Sequence, residues 1–319
     1  MLTKKKLGKH TLFKSTPLLF SPQQGYVRPS RGGKGWSKEW FATTTTVWRV
    51  DEIERRRQRD WRRLTGETGH DGSRAGSMRK DHDSHYTGTV SVFPAPLMEY
   101  IILRYAGEVG GKILDAFAGG PPRAMVSSIM DMEYHGVELR QEQIDENLKV
   151  LADLKFTKNY HYHLGDGRYL DDLPENYFDC AITCPPYWNL EKYSDDPSDL
   201  SNLPTYAAFN GAMALSAAAH FPLIRPGGFA CIVVGPFRNK REGSLIDFPG
   251  HTVENFCDAG FTYWQQIVLS KNFASAAKRS TTSWKGLKLV PNHEFLLVFR
   301  KPEGSHEGIL SSRISRDKE

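Results

Sequence analysis

From Val90 onward, apolar stretches of strand length alternate with amphipathic stretches of helix length, and that alternation admits few folds. Residues 112–117 (KILDAF), 134–138 (YHGVE), 161–164, 178–183 (FDCAIT) and 228–235 (GFACIVVG) read as strands. Pro96 opens a helix whose Met98, Ile101, Ile102 and Tyr105 share one face. Further helices are expected over 123–132, 141–154, 206–220 and 251–259, the second with Ile144, Leu148 and Leu151 on one side. Residues 261–270 and 293–300 close the series as two antiparallel strands. The expected fold class is α/β: a doubly wound, mostly parallel sheet with an antiparallel last strand. Such a sheet binds ligands at the carboxyl ends of its strands.

Those strand ends carry chemistry. Asp115-Ala116-Phe117-Ala118-Gly119-Gly120 leaves a strand and turns into a helix, and glycines there let the backbone pass close to a ligand. Glu138 ends the next strand, 19 residues after Gly119, where a carboxylate can accept hydrogen bonds from two ribose hydroxyls. Asp166, in Leu164-Gly165-Asp166-Gly167, ends the third strand and can reach an adenine amino group. Strand-capping explains each acid singly but not the series.

The fourth strand runs into Cys184-Pro185-Pro186-Tyr187. This run resembles the (D/N/S)PPY element of enzymes that methylate the amino groups of DNA bases, and the resemblance implies the roles of its residues. A backbone carbonyl held rigid by two prolines, here that of Pro185, would accept a hydrogen bond from the exocyclic amine. Acceptors on both amino protons favour a pyramidal nitrogen and expose its lone pair. The tyrosine would stack on a base extruded from a duplex.

These motifs resemble the class I methyltransferases that use S-adenosylmethionine, and among them the amino-methylating DNA enzymes acting on cytosine N4 or adenine N6. The resemblance covers about 88–300. Its DxFxGxG element corresponds to the turn after Asp115, its (D/N/S)PPY element to Cys184–Tyr187. The upstream element packing beside the methionine corresponds to Phe93 and Pro94. The resemblance implies cofactor contacts by Phe93, Pro94, Asp115, Phe117, Gly119, Gly120, Glu138 and Asp166, and catalysis by Cys184, Pro185, Pro186 and Tyr187. The motif order is like the family's gamma arrangement, and the long form CPPYWNLEKYSDDPSDLSN is similar to methylases carried by phages and actinobacteria; a place in a restriction-modification system is the corresponding expectation. Two departures stand out. Pro121-Pro122 replaces the last glycine before the helix, and Cys184 replaces an oxygen-bearing residue. A thiol is a weak acceptor, so either Cys184 serves poorly, or Thr183 or an acid of 195–199 takes the role. Cys184 is isosteric with serine, which favours cytosine N4 slightly.

The rest of the chain points to nucleic acid. Residues 1–34 hold eight Lys or Arg and no acid, and 54–63 (ERRRQRDWRR) form a second basic run inside an expected helix over 51–64. Residues 1–88 are read as a basic arm ending in a polar loop (66–88), 89–303 as the catalytic domain, and 304–319 as a polar tail. A loop over 271–291, far longer than a hairpin needs, supplies Lys271, Phe273, Lys278, Arg279, Trp284, Lys285 and Lys288 for target recognition. Arg238 adds a phosphate contact. The expected partner is double-stranded DNA with its target base flipped out. RNA amino-methylation and an inactive DNA-binding protein of the same fold are the alternatives. No apolar run reaches membrane-spanning length, and the stretch MLTKKKLGKHTLFK has charge but no apolar region and no cleavage-like site, so secretion is not expected. The four cysteines show no zinc spacing. No metal, a cytoplasmic location and reduced thiols are expected.

Overall fold

The computed structural model describes residues 20–21, 25–26, 46–50, 93–107, 109–156, 159–270 and 286–304. The helix expected over 51–64, the polar loop, most of the 271–291 loop and the tail beyond 304 lie outside them.

Three short strands come first: β1 (Phe20–Ser21), β2 (Gly25–Tyr26) and β3 (Val47–Arg49). Then follow α1 (Ala95–Tyr105), β4 (Lys112–Asp115), α2 (Pro122–Ile129), β5 (Glu133–Glu138), α3 (Gln141–Asp153), β6 (Tyr160–Leu164) and β7 (Phe178–Thr183). The second half holds α4 (Tyr206–Leu223), β8 (Ile224–Val234), β9 (Phe237–Arg238), β10 (Leu245–Ile246), α5 (Phe248–Asp258), β11 (Thr262–Ser270) and β12 (His293–Arg300). Eight strands form one sheet in the order β3-β11-β12-β8-β7-β4-β5-β6. The five strands from β8 to β6 run parallel, while β12, the last in the chain, is antiparallel to both β8 and β11. β1–β2 and β9–β10 are separate antiparallel pairs.

Each face of the sheet has its own core. Leu97, Met98, Ile101 and Ile102 of α1 and Ala124, Met125 and Val126 of α2 pack on Ile113, Cys180, Ile182 and Cys231. On the other face, Phe209, Met213 and Ala217 of α4 and Phe248 and Phe256 of α5 pack on Leu114, Ala181, Ile232 and Leu297. Helices on both faces make the sheet doubly wound, the fold expected of a class I methyltransferase. Among the described residues no helix is long and apolar enough to cross a membrane.

The element expectations hold to within a few residues, with informative exceptions. α5 starts at Phe248 rather than 251, because Asp247 accepts from the Gly250 N–H and Pro249 suits the first turn. β8 begins four residues early, at Ile224. On α3, Leu148 is exposed and the inward stripe is Ile144, Asn147 and Leu151. Asn147 turns in because its Nδ2 donates to the Gly119 carbonyl at 2.7 Å, and Gln143 Nε2 donates to Asn147 Oδ1 at 3.0 Å. β3 falls outside the expected elements altogether. It adds an eighth strand, parallel to β11, with Val47–Arg49 in register with Val268–Ser270.

Candidate active site

Because β6, β5, β4, β7 and β8 are parallel neighbours, their carboxyl ends open on one edge of the sheet. The chain leaves β4 toward β5 on one side and reaches β7 on the other, so the switch of direction lies between β4 and β7. Crevices form at such points. The glycine turn and Cys184–Tyr187 flank this one, and the Thr183 hydroxyl joins them by donating to Asp115 Oδ1 at 2.7 Å.

Asp115 sits beneath the turn rather than on its surface, fully buried. It accepts from Arg123 Nε at 2.5 Å, from the Tyr134 hydroxyl at 2.7 Å and from the Phe117 N–H at 3.4 Å. Arg123, itself buried, also donates to the carbonyls of Phe117 (2.6 Å) and Ala118 (2.9 Å) and lies 4.9 Å from the Phe93 ring centroid. Burial works against the Arg123 charge, but the Asp115 carboxylate raises its pKa above the ordinary value. Asp115 thus acts through the turn it fastens. Pro121 caps α2 and Pro122 opens it, where a missing N–H is no loss. Pro94 caps α1 in extended conformation, and Phe93 is buried against the same turn.

The upper side of the turn is open. Gly119 has φ +51°, and a Cβ added there would meet no atom within 4 Å. Its N–H donates to Glu138 Oε2 at 2.9 Å, and the Arg140 N–H donates to Glu138 Oε1 at 3.1 Å. Burial raises the Glu138 carboxyl above the usual range, partly offset by those hydrogen bonds. Gly120, beside Pro122, continues the open side. Gly167 is a close approach: a Cβ there would lie 2.3 Å from the Ala116 carbonyl oxygen and 2.9 Å from the Phe117 ring. Asp166 is gripped by Arg168, whose Nε reaches both carboxylate oxygens at 2.9–3.0 Å.

Across the crevice, Pro185 is buried and Pro186 half-buried. Tyr187 packs edge-on against Phe237 and Phe248, with centroids 5.9 and 5.7 Å away. Burial pushes its hydroxyl pKa well up. The next residue, Trp188, holds φ +33°, a strained value for a large side chain, and is fixed by its indole N–H on the Leu203 carbonyl at 2.9 Å. Cys184 is half-buried, within electrostatic reach of Arg123, Tyr187 and Tyr193. The acids nearby are engaged elsewhere. Asp195 pairs with Lys192, Asp196 accepts from the Ser198 N–H, and buried Asp199 accepts from Ser194 and Ser201. Thr183 is buried against Asp115.

Beside Tyr187 the β9–β10 hairpin carries basic residues. Lys240 Nζ donates to the carbonyls of Asn189 and Leu190, and Arg238 donates to the Gly243 carbonyl at 3.1 Å. Lys288 reaches the same Gly243, while Leu287 and Leu289 on either side are almost fully exposed. Lys271, Phe273, Lys278, Arg279, Trp284 and Lys285 lie outside the described residues. Arg123, Tyr134, Asn147, Trp188, Phe237 and Phe248 are site-building residues that motif reading missed.

No family model matches the chain. In sequence it is similar to the Type II methyltransferase M.MjaI of Methanocaldococcus jannaschii, 24% identical over 177 residues, which is 47% of this chain and 58% of that protein. The chain therefore spans less than two thirds of that relative. Among solved structures, TTHA0409 of Thermus thermophilus, assigned as a DNA modification methylase and complexed with S-adenosyl-L-methionine, is 25% identical. It has a TM-score of 0.34 and covers 45% of this chain and 56% of that one. TrmN, also of Thermus thermophilus, is 13% identical with a TM-score of 0.45, covering 66% and 49%.

Proposed function

We propose that the chain transfers the methyl group of S-adenosylmethionine to an exocyclic amino group of a base in DNA, cytosine N4 ahead of adenine N6. The observation that carries this reading is the position of Cys184–Tyr187. It follows β7 as the glycine turn follows β4, the two strands of the switch point; the Thr183–Asp115 hydrogen bond ties those strand ends together, and the Gly119 N–H ties Glu138 to the turn. The similarity to M.MjaI supports a DNA-modifying activity.

The residues present fit the cofactor. The open side of Gly119 and Gly120 leaves room for its methionine end, Glu138 keeps lone pairs for ribose hydroxyls, and Asp166 stands at the third strand end for the adenine amine. Bound there, the cofactor supplies an electrophilic methyl group. The chain's own part is to prepare the amine. The Pro185 carbonyl accepts one amino N–H, which withdraws the nitrogen lone pair from ring conjugation, and Tyr187 stacks on the flipped base. With Thr183 and Asp195–Asp199 engaged elsewhere, Cys184 faces the second amino proton. Its serine-like size is what favours cytosine. Arg238 and Lys288 provide phosphate contacts beside the tyrosine.

Tritiated methyl transfer to unmodified DNA and to RNA, followed by mass spectrometry of the digested product, tests the reading. We expect N4-methylcytosine or N6-methyladenine from DNA. Tyr187→Phe should keep turnover, whereas Tyr187→Ala should lose most of it with cofactor affinity intact, stacking being worth about 1–3 kcal/mol per base. Unchanged turnover in Tyr187→Ala removes the motif from the chemistry. Methyl transfer to RNA alone, or none at all, replaces the proposal with one of the two alternatives.

A further inference from the structure

Away from the crevice, β5 and β6 gather an unusual set of side chains on one face. Glu133 and His135 alternate along β5, and His161 and His163 along β6, so all four project to the same side. The parallel register sets His135 directly opposite His161, with ring centroids 4.6 Å apart, and His163 stacks on His135 at 5.3 Å. Helices of this kind of sheet normally cover such a face, but the described chain between β6 and β7 contains turns and no helix. His161 is accordingly exposed and the other three are half-buried.

One donor atom each from Glu133, His135 and His161 lies within 4.8 Å of the other two. Two imidazoles and a carboxylate are a donor set that zinc accepts, with a water completing the tetrahedron. Ligands about 2.0–2.2 Å from zinc stand roughly 3.3 Å from one another, so small side-chain movements close the site. We propose that Glu133, His135 and His161 bind one divalent transition-metal ion of the zinc class, clasping β6 to β5.

The surroundings match what metal ligands require. A ligating histidine is normally oriented through its second ring nitrogen, and ligating carboxylates are themselves hydrogen-bonded. His135 Nε2 lies 2.8 Å from Glu133 Oε1, and its Nδ1 lies 3.1 Å from His163 Nε2. With the ion on Nε2, Nδ1 carries the ring proton and donates it to His163. The Tyr177 hydroxyl donates to Glu133 Oε1 at 2.6 Å and holds that carboxylate in place. Lys112 opposes the ion, but its ammonium lies over the Tyr177 ring, 4.3 Å from the centroid.

Titrating the metal-free full chain with cobalt(II), read by visible absorption, and with zinc, read by calorimetry and thermal melting, tests the site. The wild type should take one cobalt with the intense visible band of a four- or five-coordinate ion, and zinc should raise its melting temperature. His161→Ala, at an exposed position, and Glu133→Gln should fold with the wild-type metal-free melting temperature and lose both the band and the shift. Binding through the cysteines would instead show thiolate charge-transfer bands that persist in His161→Ala. That result overturns the proposal, as does a wild type that binds no cobalt or binds it no differently from His161→Ala.

Discussion

Buried beneath the glycine turn, Arg123 holds Asp115 and two backbone carbonyls at once. Replacing it by methionine keeps most of the volume but leaves a buried carboxylate with only the Tyr134 and Thr183 hydroxyls and one long backbone contact. Breaking such a pair from one side costs about 3–5 kcal/mol. Urea denaturation of Arg123→Met should show a loss of that order, and a change under about 1 kcal/mol would mean the turn is held by something else. The residue was half legible in the sequence. An arginine in the first turn of a helix opposes the helix dipole, which is a signal that it faces a specific anion. Nothing in the spacing said that the anion is Asp115, since the seven residues between them span a turn whose path depends on tertiary contacts. Asp115 itself was legible as a strand-end acid, but its depth below the surface was not.

At the scale of elements, β5 shows how one glycine sets the geometry of its neighbours. A Cβ at Gly136 would lie 2.7 Å from the Tyr134 ring and 3.0 Å from Ala118 Cβ. The missing side chain is the slot through which the Tyr134 ring lies along the strand and delivers its hydroxyl to Asp115. Gly136→Ala should cost roughly 1–3 kcal/mol by overpacking. It should also weaken cofactor binding, because the displaced groups support the turn. A thermal melt and a cofactor titration read the two effects, and a neutral substitution would show that the ring can lie elsewhere. Element type and order were legible because strand and helix periods differ and the alternation is regular. Positions failed where a local hydrogen bond overrode the apolar pattern, as at Asn147 against Leu148 and at the Asp247 cap. β3 failed for another reason: three residues carry no measurable period, and only pairing with β11 makes them a strand. The histidines of β5 and β6 escaped a search for metal spacing because they meet across strands and not along the chain.

At the scale of the molecule, positive charge is distributed unevenly; its described part includes Arg238 on the β9–β10 hairpin, whose Phe237 touches Tyr187, and Lys288, which reaches Gly243 of the same hairpin. If each neutralises one phosphate, Arg238→Ala and Lys288→Ala should each lower the magnitude of the slope of log affinity for duplex DNA against log salt by about 1. Fluorescence anisotropy across a salt series measures this, and unaltered slopes would place the duplex on another surface. The eight-strand order carries one more consequence, for the time course of synthesis. β3 leaves the ribosome before every other strand of the main sheet, yet its partner β11 lies some 220 residues further on. The parallel strands β4 to β8 can assemble among themselves while β3 waits. The sheet is therefore closed at that edge by a segment made early joining one made late, a contact of long sequence separation that slows the last stage of folding. Until it forms, the edge of β11 presents unpaired backbone, and that interval is when this chain is most open to pairing with another copy of itself.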